Sequence, residues 1–366
     1  CRAEPFEKRS SNVSIFKLLG GDVSESMGLN RPLRARLSPT MSGMGIPTPY
    51  PIEEFRQING PLIDVRSPAE FTKGHWPGAK NIPLFGDEER SAVGRSYKQA
   101  GRKSAVLLGL EYTGPKLASL GEDLAEIMKK AKPNSPNTFS NELRIYCWRG
   151  GMRSASIAWL ADLLELNPVL LQGGYKAYRG WVLGQFENKW PIQLLGGRTG
   201  TGKTDLLLSI AQKGASVIDL EGLAQHRGSS YGGLGLPSQP TSEHFENLLA
   251  EELEFCKSSS PKKIWLEAES SNLGRCKIPQ ALFKQMKIAP VLEITRTRNE
   301  RIMKLVDVYG PQGNEALEEA TLRISRRLGP QRTSQALKAL ENKNWEQACE
   351  AILDYYDRCY DHELEG

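Results

Sequence analysis

Zinc-ligand spacing is missing from this chain. Its six cysteines (Cys1, Cys147, Cys256, Cys276, Cys349 and Cys359) include no CxxC pair, and its four histidines build no Cys/His cluster. Six thiols scattered over 366 residues do not make a disulfide framework, which points to a reducing, cytoplasmic compartment. No apolar run approaches the roughly 18 residues that a membrane span needs, so no membrane partner is expected. RRM and KH signatures are absent, and there is no internal repeat. A strong charge of one sign is lacking too: the net +5 permits an anionic partner without demanding one. What remains is 39% hydrophobic and 25% charged residues, the composition of a globular protein long enough for two domains.

Residues 1–48 have little apolar periodicity and are rich in Ser, Arg, Gly and Pro. Arg2, Lys8, Arg9, Lys17, Arg31, Arg34 and Arg36 outnumber the acids there. An organelle transit segment has that composition, and so does a disordered extension. The chain opens on Cys1 rather than Met and stops abruptly at Gly366, as a fragment or processed product would. Beyond residue 48, short apolar runs alternate with helical patterns. Leu62–Val65, Leu143–Tyr146 and Val169–Leu171 read as strands, with helices over 68–73, 87–132 and 155–166. A boundary is expected between Trp181 and Pro191. Strands then follow at 192–195, 217–220, 264–266 and 291–294, with helices over 298–309, 315–328 and, allowing for a break, 334–360. Strands alternating with helices predict mostly parallel sheets covered on both faces. The expected division is a disordered extension over 1–48, one α/β domain over 49–186 and a second over 187–366.

Two places carry chemistry. In Tyr146-Cys147-Trp148-Arg149-Gly150-Gly151-Met152-Arg153-Ser154, a strand delivers a cysteine to a tight loop and a helix begins directly after it. The thiolate is the reactive form of cysteine. Backbone N–H groups curled around the sulfur, with the positive end of the next helix, stabilise that anion. Gly150 and Gly151 let the backbone turn inward. Arg149 and Arg153 add charge for an anionic donor. The bland alternative is a buried, inert cysteine, for which an exposed Gly-rich loop with two cations is a poor place.

The second place is Gly197-Arg198-Thr199-Gly200-Thr201-Gly202-Lys203-Thr204, which fits G-x-x-x-x-G-K-[ST] between a strand and a helix. Gly197, Gly200 and Gly202 free backbone N–H groups to converge on phosphate oxygens. Lys203 would reach a terminal phosphate, and Thr204 would ligate Mg²⁺ if a nucleotide is bound. Asp219, Glu221, Glu267 and Glu269 follow strands, where a metal-associated acid often sits. Each could equally be a solvated carboxylate. Arg296, Arg298 and Arg301 could clamp phosphates or be only a charged helix start. Lys98, Arg102 and Lys103, and the denser group Arg323, Arg326, Arg327 and Arg332, could neutralise nucleic-acid phosphates or simply be solvated helix faces.

The cysteine loop resembles that of the rhodanese family. Asp64-Val65-Arg66 with Glu70-Phe71, the turn Gly74–Ala79, Asn81-Ile82-Pro83, and Gly173-Gly174 with Trp181 extend the likeness. In that reading Asp64 and Arg66 are scaffold, and His75 is structural rather than a general base. The whole chain from about residue 50 resembles the tRNA 2-selenouridine synthases. The segments that carry this likeness are Asp87–Arg90, Val93–Lys98, the Cys147 loop, Gly173–Ala177, the P-loop, Asp219–Ser229 and Phe245–Leu249. Ser96 departs from it, because relatives often carry Cys there.

The resemblance implies a rhodanese-like parallel-sheet domain followed by a P-loop NTPase-like α/β domain with a helical C-terminal part. It implies tRNA as substrate, with selenium from selenophosphate replacing sulfur in wobble 2-thiouridine by way of a geranylated intermediate made from geranyl diphosphate. Cys147 would be the nucleophile and selenium carrier. No tightly bound cofactor is expected, Mg²⁺ is compatible, and the selenophosphate donor or its synthase is the expected partner. The rival reading is a plain sulfurtransferase that passes persulfide sulfur to a small or protein acceptor, with a regulatory P-loop.

Overall fold

The computed structural model describes residues 47–131, 142–259 and 261–365, and the side chains among them through Asp361. The extension and the transit segment expected over 1–48 lie almost wholly outside these residues. From the N-terminal side, α1 (Ile52–Arg56) leads to β1 (Leu62–Asp64), all three of whose residues are buried. Burial on both faces is what a central parallel strand requires, and it explains the unbroken apolar run. Pro68 then opens α2 (Pro68–Lys73), whose first turn is closed by a reciprocal Ser67–Glu70 capping box. After β2 (Lys80–Asn81) come α3 (Asp87–Thr113) and α4 (Leu117–Lys130). The chain bends inside α3 at Gly101, where φ is +84°. Next are β3 (Leu143–Tyr146), α5 (Met152–Leu163), β4 (Pro168–Leu170) and α6 (Gly174–Glu187). The four strands form a parallel sheet in the order β2-β1-β3-β4.

A second sheet starts with β5 (Ile192–Gly196), which feeds the P-loop and then α7 (Lys203–Gln212). It continues through β6 (Ser216–Ile218), α8 (Leu220–Ala224), α9 (Ser242–Ser258) and β7 (Ile264–Glu267). A small hairpin, β8 (Asn272–Leu273) and β9 (Cys276–Lys277), precedes α10 (Gln280–Ile288) and β10 (Val291–Glu293). This sheet is also parallel, in the order β10-β5-β7-β6, so the P-loop strand is internal. The helical end comprises α11 (Arg298–Tyr309), α12 (Asn314–Leu328), α13 (Pro330–Glu341) and α14 (Trp345–Glu365). Both sheets match the expected α/β class.

One local expectation is corrected: the strand expected over 217–220 ends at Ile218, because Asp219 caps α8 by accepting the Gly222 N–H at 2.8 Å. The break allowed within 334–360 is present, between α13 and α14, where Lys343 takes φ +57°.

The sheets are not independent. One face of the first sheet has its own core around Ile63, Val65, Ile145, Ile157 and Leu170. Its other face, with Trp76, Tyr146, Tyr175 and Tyr178, belongs to a cluster that runs on through Phe245, Leu249 and Leu253 of α9 to Leu194 and Leu266 of the second sheet. Polar contacts reinforce this joint. Asn247 of α9 donates to the His75 carbonyl and to the Tyr175 hydroxyl, both at 2.8 Å. Glu251 accepts from Arg56 at 2.8 Å and from the Tyr178 hydroxyl at 3.1 Å. Residues 45–366 form one compact unit. Among the described residues, no helix is long and apolar enough to cross a membrane, and none of the described cysteines is in a disulfide.

Candidate active site

Cys147 is the first residue after β3, 3% exposed, with its sulfur turned into the loop that follows. Two donors hold that sulfur: the Gly151 backbone N–H at 3.3 Å and the Ser154 hydroxyl at 3.2 Å. The loop is braced from α6, where Tyr175 N–H donates to the Cys147 carbonyl at 2.8 Å and Lys176 N–H to the Trp148 carbonyl at 3.0 Å. This approach explains Gly174. A Cβ there would lie 2.3 Å from the Cys147 carbonyl oxygen, and the residue has φ +59°. Burial alone would push the thiol up. The Ser154 hydroxyl, the Arg153 charge and the loop's N–H groups outweigh it, so the thiol lies below its ordinary value.

The two arginines of the loop differ. Arg149 is exposed. Arg153 is tied to Glu70 of α2 at 2.6 Å, and Arg90 approaches the same carboxylate at 3.7 Å. Arg153 therefore acts on the sulfur as a fixed charge. Glu70, Ser154 and Tyr175 are functional neighbours that sequence reasoning did not single out. Ser154 is the third residue of α5, within its first turn, and only its spacing from Cys147 hinted at it. Asp64 and Arg66 form a buried bidentate pair that also reaches the Gly74 carbonyl at 2.7 Å, the geometry of scaffold. His75 stacks between Phe71 and His244, with ring centroids 3.7 and 4.1 Å away, and its Nδ1 lies 3.0 Å from the Phe71 carbonyl oxygen.

At the second site, Gly197, Gly200 and Gly202 take φ of +146°, +85° and +78°, a backbone path that favours glycine. Lys203 starts α7, and its ammonium donates to the Gly197 carbonyl at 3.0 Å, folded back over the loop. Of the three arginines after β10, two are structural. Arg298 pairs with Asp354, and Arg301 pairs with Asp357 while donating to the Thr199 carbonyl at 2.9 Å. With the Arg198–Asp361 pair, they strap the P-loop to α14. Arg296 is left as the cation facing the loop: its guanidinium lies 3.8 Å from where a Cβ on Gly202 would stand.

Glu221, Glu267 and Glu269 converge, each offering an oxygen within 4.8 Å of the others. Asp219 does not join them, since it is spent as the α8 cap. Thr204 Oγ1 donates to Glu221 at 3.2 Å, which links the cluster to the P-loop. Burial, and then the neighbouring carboxylates, push Glu221 up to about 9 and Glu267 up to about 7. Glu267 is fully buried, and neither of its oxygens meets a hydrogen-bond donor. A buried carboxylate without a donor is costly. A divalent cation would satisfy it, and three carboxylates beside a threonine hydroxyl are an all-oxygen donor set of the kind Mg²⁺ takes.

Of the surface cations, Lys98, Arg102 and Lys103 are exposed on α3. On α12, Arg326 and Arg327 are exposed, while Arg323 pairs with Glu319 at 3.1 Å.

A rhodanese-type cysteine loop and a P-loop in one compact body define the class: a two-site α/β protein with both loops on parallel sheets. The Rhodanese-like domain family matches residues 52–180, and the tRNA 2-selenouridine synthase AAA domain family matches residues 190–366. Over 347 residues the chain is 36% identical to the tRNA 2-selenouridine synthase of Sulfurovum sp. (strain NBC37-1), covering 85% of this chain and 92% of that protein. The enzyme of the same name from Hydrogenovibrio crunogenus is 35% identical, with 86% and 92% covered. The one from Marinobacter nauticus is 34% identical, with 83% and 88% covered. The chain belongs to the tRNA 2-selenouridine synthase family.

Proposed function

We propose that this protein modifies tRNA, replacing the sulfur of wobble 2-thiouridine by selenium taken from selenophosphate. The observation that carries the reading is the Cys147 sulfur held by the Gly151 N–H and the Ser154 hydroxyl, with a net depressed thiol, in a chain whose relatives bear that enzyme name. Cys147 is the nucleophile: its thiolate attacks the phosphorus of selenophosphate, an S–P bond forms, the P–Se bond breaks and selenide is set free at the site, and water then cleaves the S–P bond to return the thiol and release phosphate. Arg149 draws in the anionic donor, while Arg153, fixed by Glu70, stabilises negative charge at the sulfur.

The uridine is activated first. Its thiocarbonyl sulfur attacks C1 of geranyl diphosphate, an S–C bond forms, the C–O bond breaks and diphosphate departs. The selenide freed from selenophosphate then adds at C2 of the base, and the geranylated sulfur leaves as a thiol, a better leaving group than sulfide. The P-loop, with Lys203 and Arg296, holds the diphosphate. Glu221, Glu267, Glu269 and Thr204 would hold Mg²⁺, which neutralises phosphate charge when bound.

The test is mass analysis of nucleosides from thiolated tRNA incubated with selenophosphate and geranyl diphosphate. Selenouridine is expected with the intact protein and not with Cys147→Ser, whose tRNA affinity stays unchanged. Retained selenation in that variant would remove Cys147 from the mechanism. If thiosulfate-to-cyanide transfer is the only activity found, the plain sulfurtransferase reading holds instead.

A further inference from the structure

Helix α3 runs out from the Cys147 site along the surface. Near its start Arg90 approaches Glu70, the carboxylate that fixes Arg153 beside the sulfur. From Asp87 to Ser104 no residue of the helix is buried. Its charge there has one sign. Between Arg90 and Leu110 it carries Arg90, Arg95, Lys98, Arg102 and Lys103 and no acidic residue.

Tyr97 stands in the middle of that run and is 59% exposed. It follows Arg90 by one heptad, about 10 Å along the helix axis. A heptad brings a side chain back to within about 20° of the same direction. Tyr97 therefore shares the face through which Arg90 reaches back to the Cys147 loop. Gly94 lies between them on that face. A Cβ there would come within 3.0 Å of the Arg90 Nη1, so the guanidinium lies across the glycine and no side chain of this face separates it from Tyr97.

A base offered to a buried sulfur has to leave its stack, and its neighbours in the strand then lose a stacking partner. Proteins meet such unstacked bases with aromatic rings, because every base has a π-face. Two exposed aromatic side chains are candidates for this. The second is Trp159, 41% exposed on α5 and one heptad after Met152, where the Cys147 loop ends. Charge separates the two. After Arg153, α5 and the turn that leads to β4 carry Asp162 and Glu165 and no basic residue, which disfavours a polyanion. On α3 the phosphates on either side of a base stacked on Tyr97 meet Lys98, Arg102 and Lys103, all of them exposed.

We propose that Tyr97 is a base-stacking residue: its ring covers an RNA base next to the one presented to Cys147, while the cations of α3 hold the backbone. Stacking is tolerant of sequence, so Tyr97 selects an unpaired loop over a duplex rather than one sequence over another. The Val93–Lys98 segment, which the chemistry at the sulfur left without a task, becomes part of the substrate site. The inference rests on the reading of tRNA as the substrate and adds which residue meets the neighbouring base.

Two synthetic RNA hairpins test it, each with 2-thiouridine in the loop and with 2-aminopurine on its 5′ or its 3′ side. Anisotropy of an end label reports binding, and 2-aminopurine emission falls when that base is stacked. With the full chain, emission is expected to fall in one of the two hairpins. Tyr97→Ala should bind about tenfold more weakly and lose that fall. Its salt dependence should not change, because no phosphate contact is removed. Tyr97→Phe keeps the ring and should restore both affinity and quenching. Cys147 alkylation should be the same in all of them, which shows that the variants are folded. Trp159→Ala should bind like the intact protein. Stacking by Tyr97 is overturned if Tyr97→Ala keeps its affinity and quenching, if Tyr97→Phe fails as Tyr97→Ala does, or if the loss appears in Trp159→Ala instead. In those cases the RNA still binds and the tRNA reading stands. If the intact protein does not bind the hairpins at all, the tRNA reading fails and takes the stacking with it.

Discussion

At the scale of single residues, the Cys147 sulfur is decided by two donors and one fixed charge. Ser154 is the more informative of the donors because its hydroxyl can be removed without touching the backbone. In Ser154→Ala the thiolate loses a hydrogen bond while the thiol loses little, so the thiol's pKa should rise, by about one unit for a hydrogen bond to an ionised group. The rate of Cys147 alkylation against pH, followed on its own peptide, should then shift its midpoint upward. An unmoved midpoint would mean that the hydroxyl does not stabilise the thiolate. Burial pushes Cys256, Cys276 and Cys349 up to about 11, so near neutral pH their signals stay low. Glu267 is the corresponding residue at the P-loop, buried with both oxygens unsatisfied. Mg²⁺ should raise the melting temperature of the intact protein, and Glu267→Gln should abolish most of that rise. A rise of the same size in the variant would place the cation elsewhere.

At the scale of elements, α9 does the joining. It packs Phe245, Leu249 and Leu253 into a core that continues beneath both sheets, and its Glu251 holds Arg56 and Tyr178 across the joint. Leu249 is fully buried there, so Leu249→Ala should destabilise the protein by about 2–5 kcal/mol. Because the core is shared, chemical denaturation should show one transition that moves as a whole. Two transitions, only one of them displaced, would mean that the sheets unfold separately. None of this was legible in the sequence. The Cys147 loop and the P-loop were, because each is a contiguous run whose strand, turn and helix lie within about a dozen residues. The acid cluster was half legible. Glu269 follows β7 as expected and Glu267 is the last residue of that strand, but whether Asp219 or Glu221 turns toward them depends on one helix cap. Glu70 comes to Arg153 from 83 residues away, and the apolar pocket lined by Thr199, Tyr231, Leu305, Leu317, Leu340 and Ile352 is assembled from four helices and two loops. Periodicity within a segment carries no trace of either.

At the scale of the whole molecule, a polynucleotide substrate has to bring one base to a buried sulfur while its backbone finds cations on the surface. The exposed cation of the loop itself is Arg149. An exposed group of cations lies on α3, which is anchored at this site: Asp87 accepts the Ala69 N–H at 2.9 Å, and Arg90 approaches Glu70. Lys98 lies about 12 Å along the helix from Arg90, at 1.5 Å per residue, with Arg102 and Lys103 just beyond the bend at Gly101. That spacing suits the backbone flanking a base held at Cys147. The cations of α12 belong to the helical end, and Arg323 is already paired there. Neutralising Lys98 and Arg102 together should therefore weaken tRNA binding and make the plot of log affinity against log salt shallower by about two. Cys147 alkylation should not change. Neutralising Arg326 and Arg327 should alter the slope less. A slope that responds to the α12 pair and ignores the α3 pair would put the tRNA on the helical end, beside the P-loop rather than the sulfur.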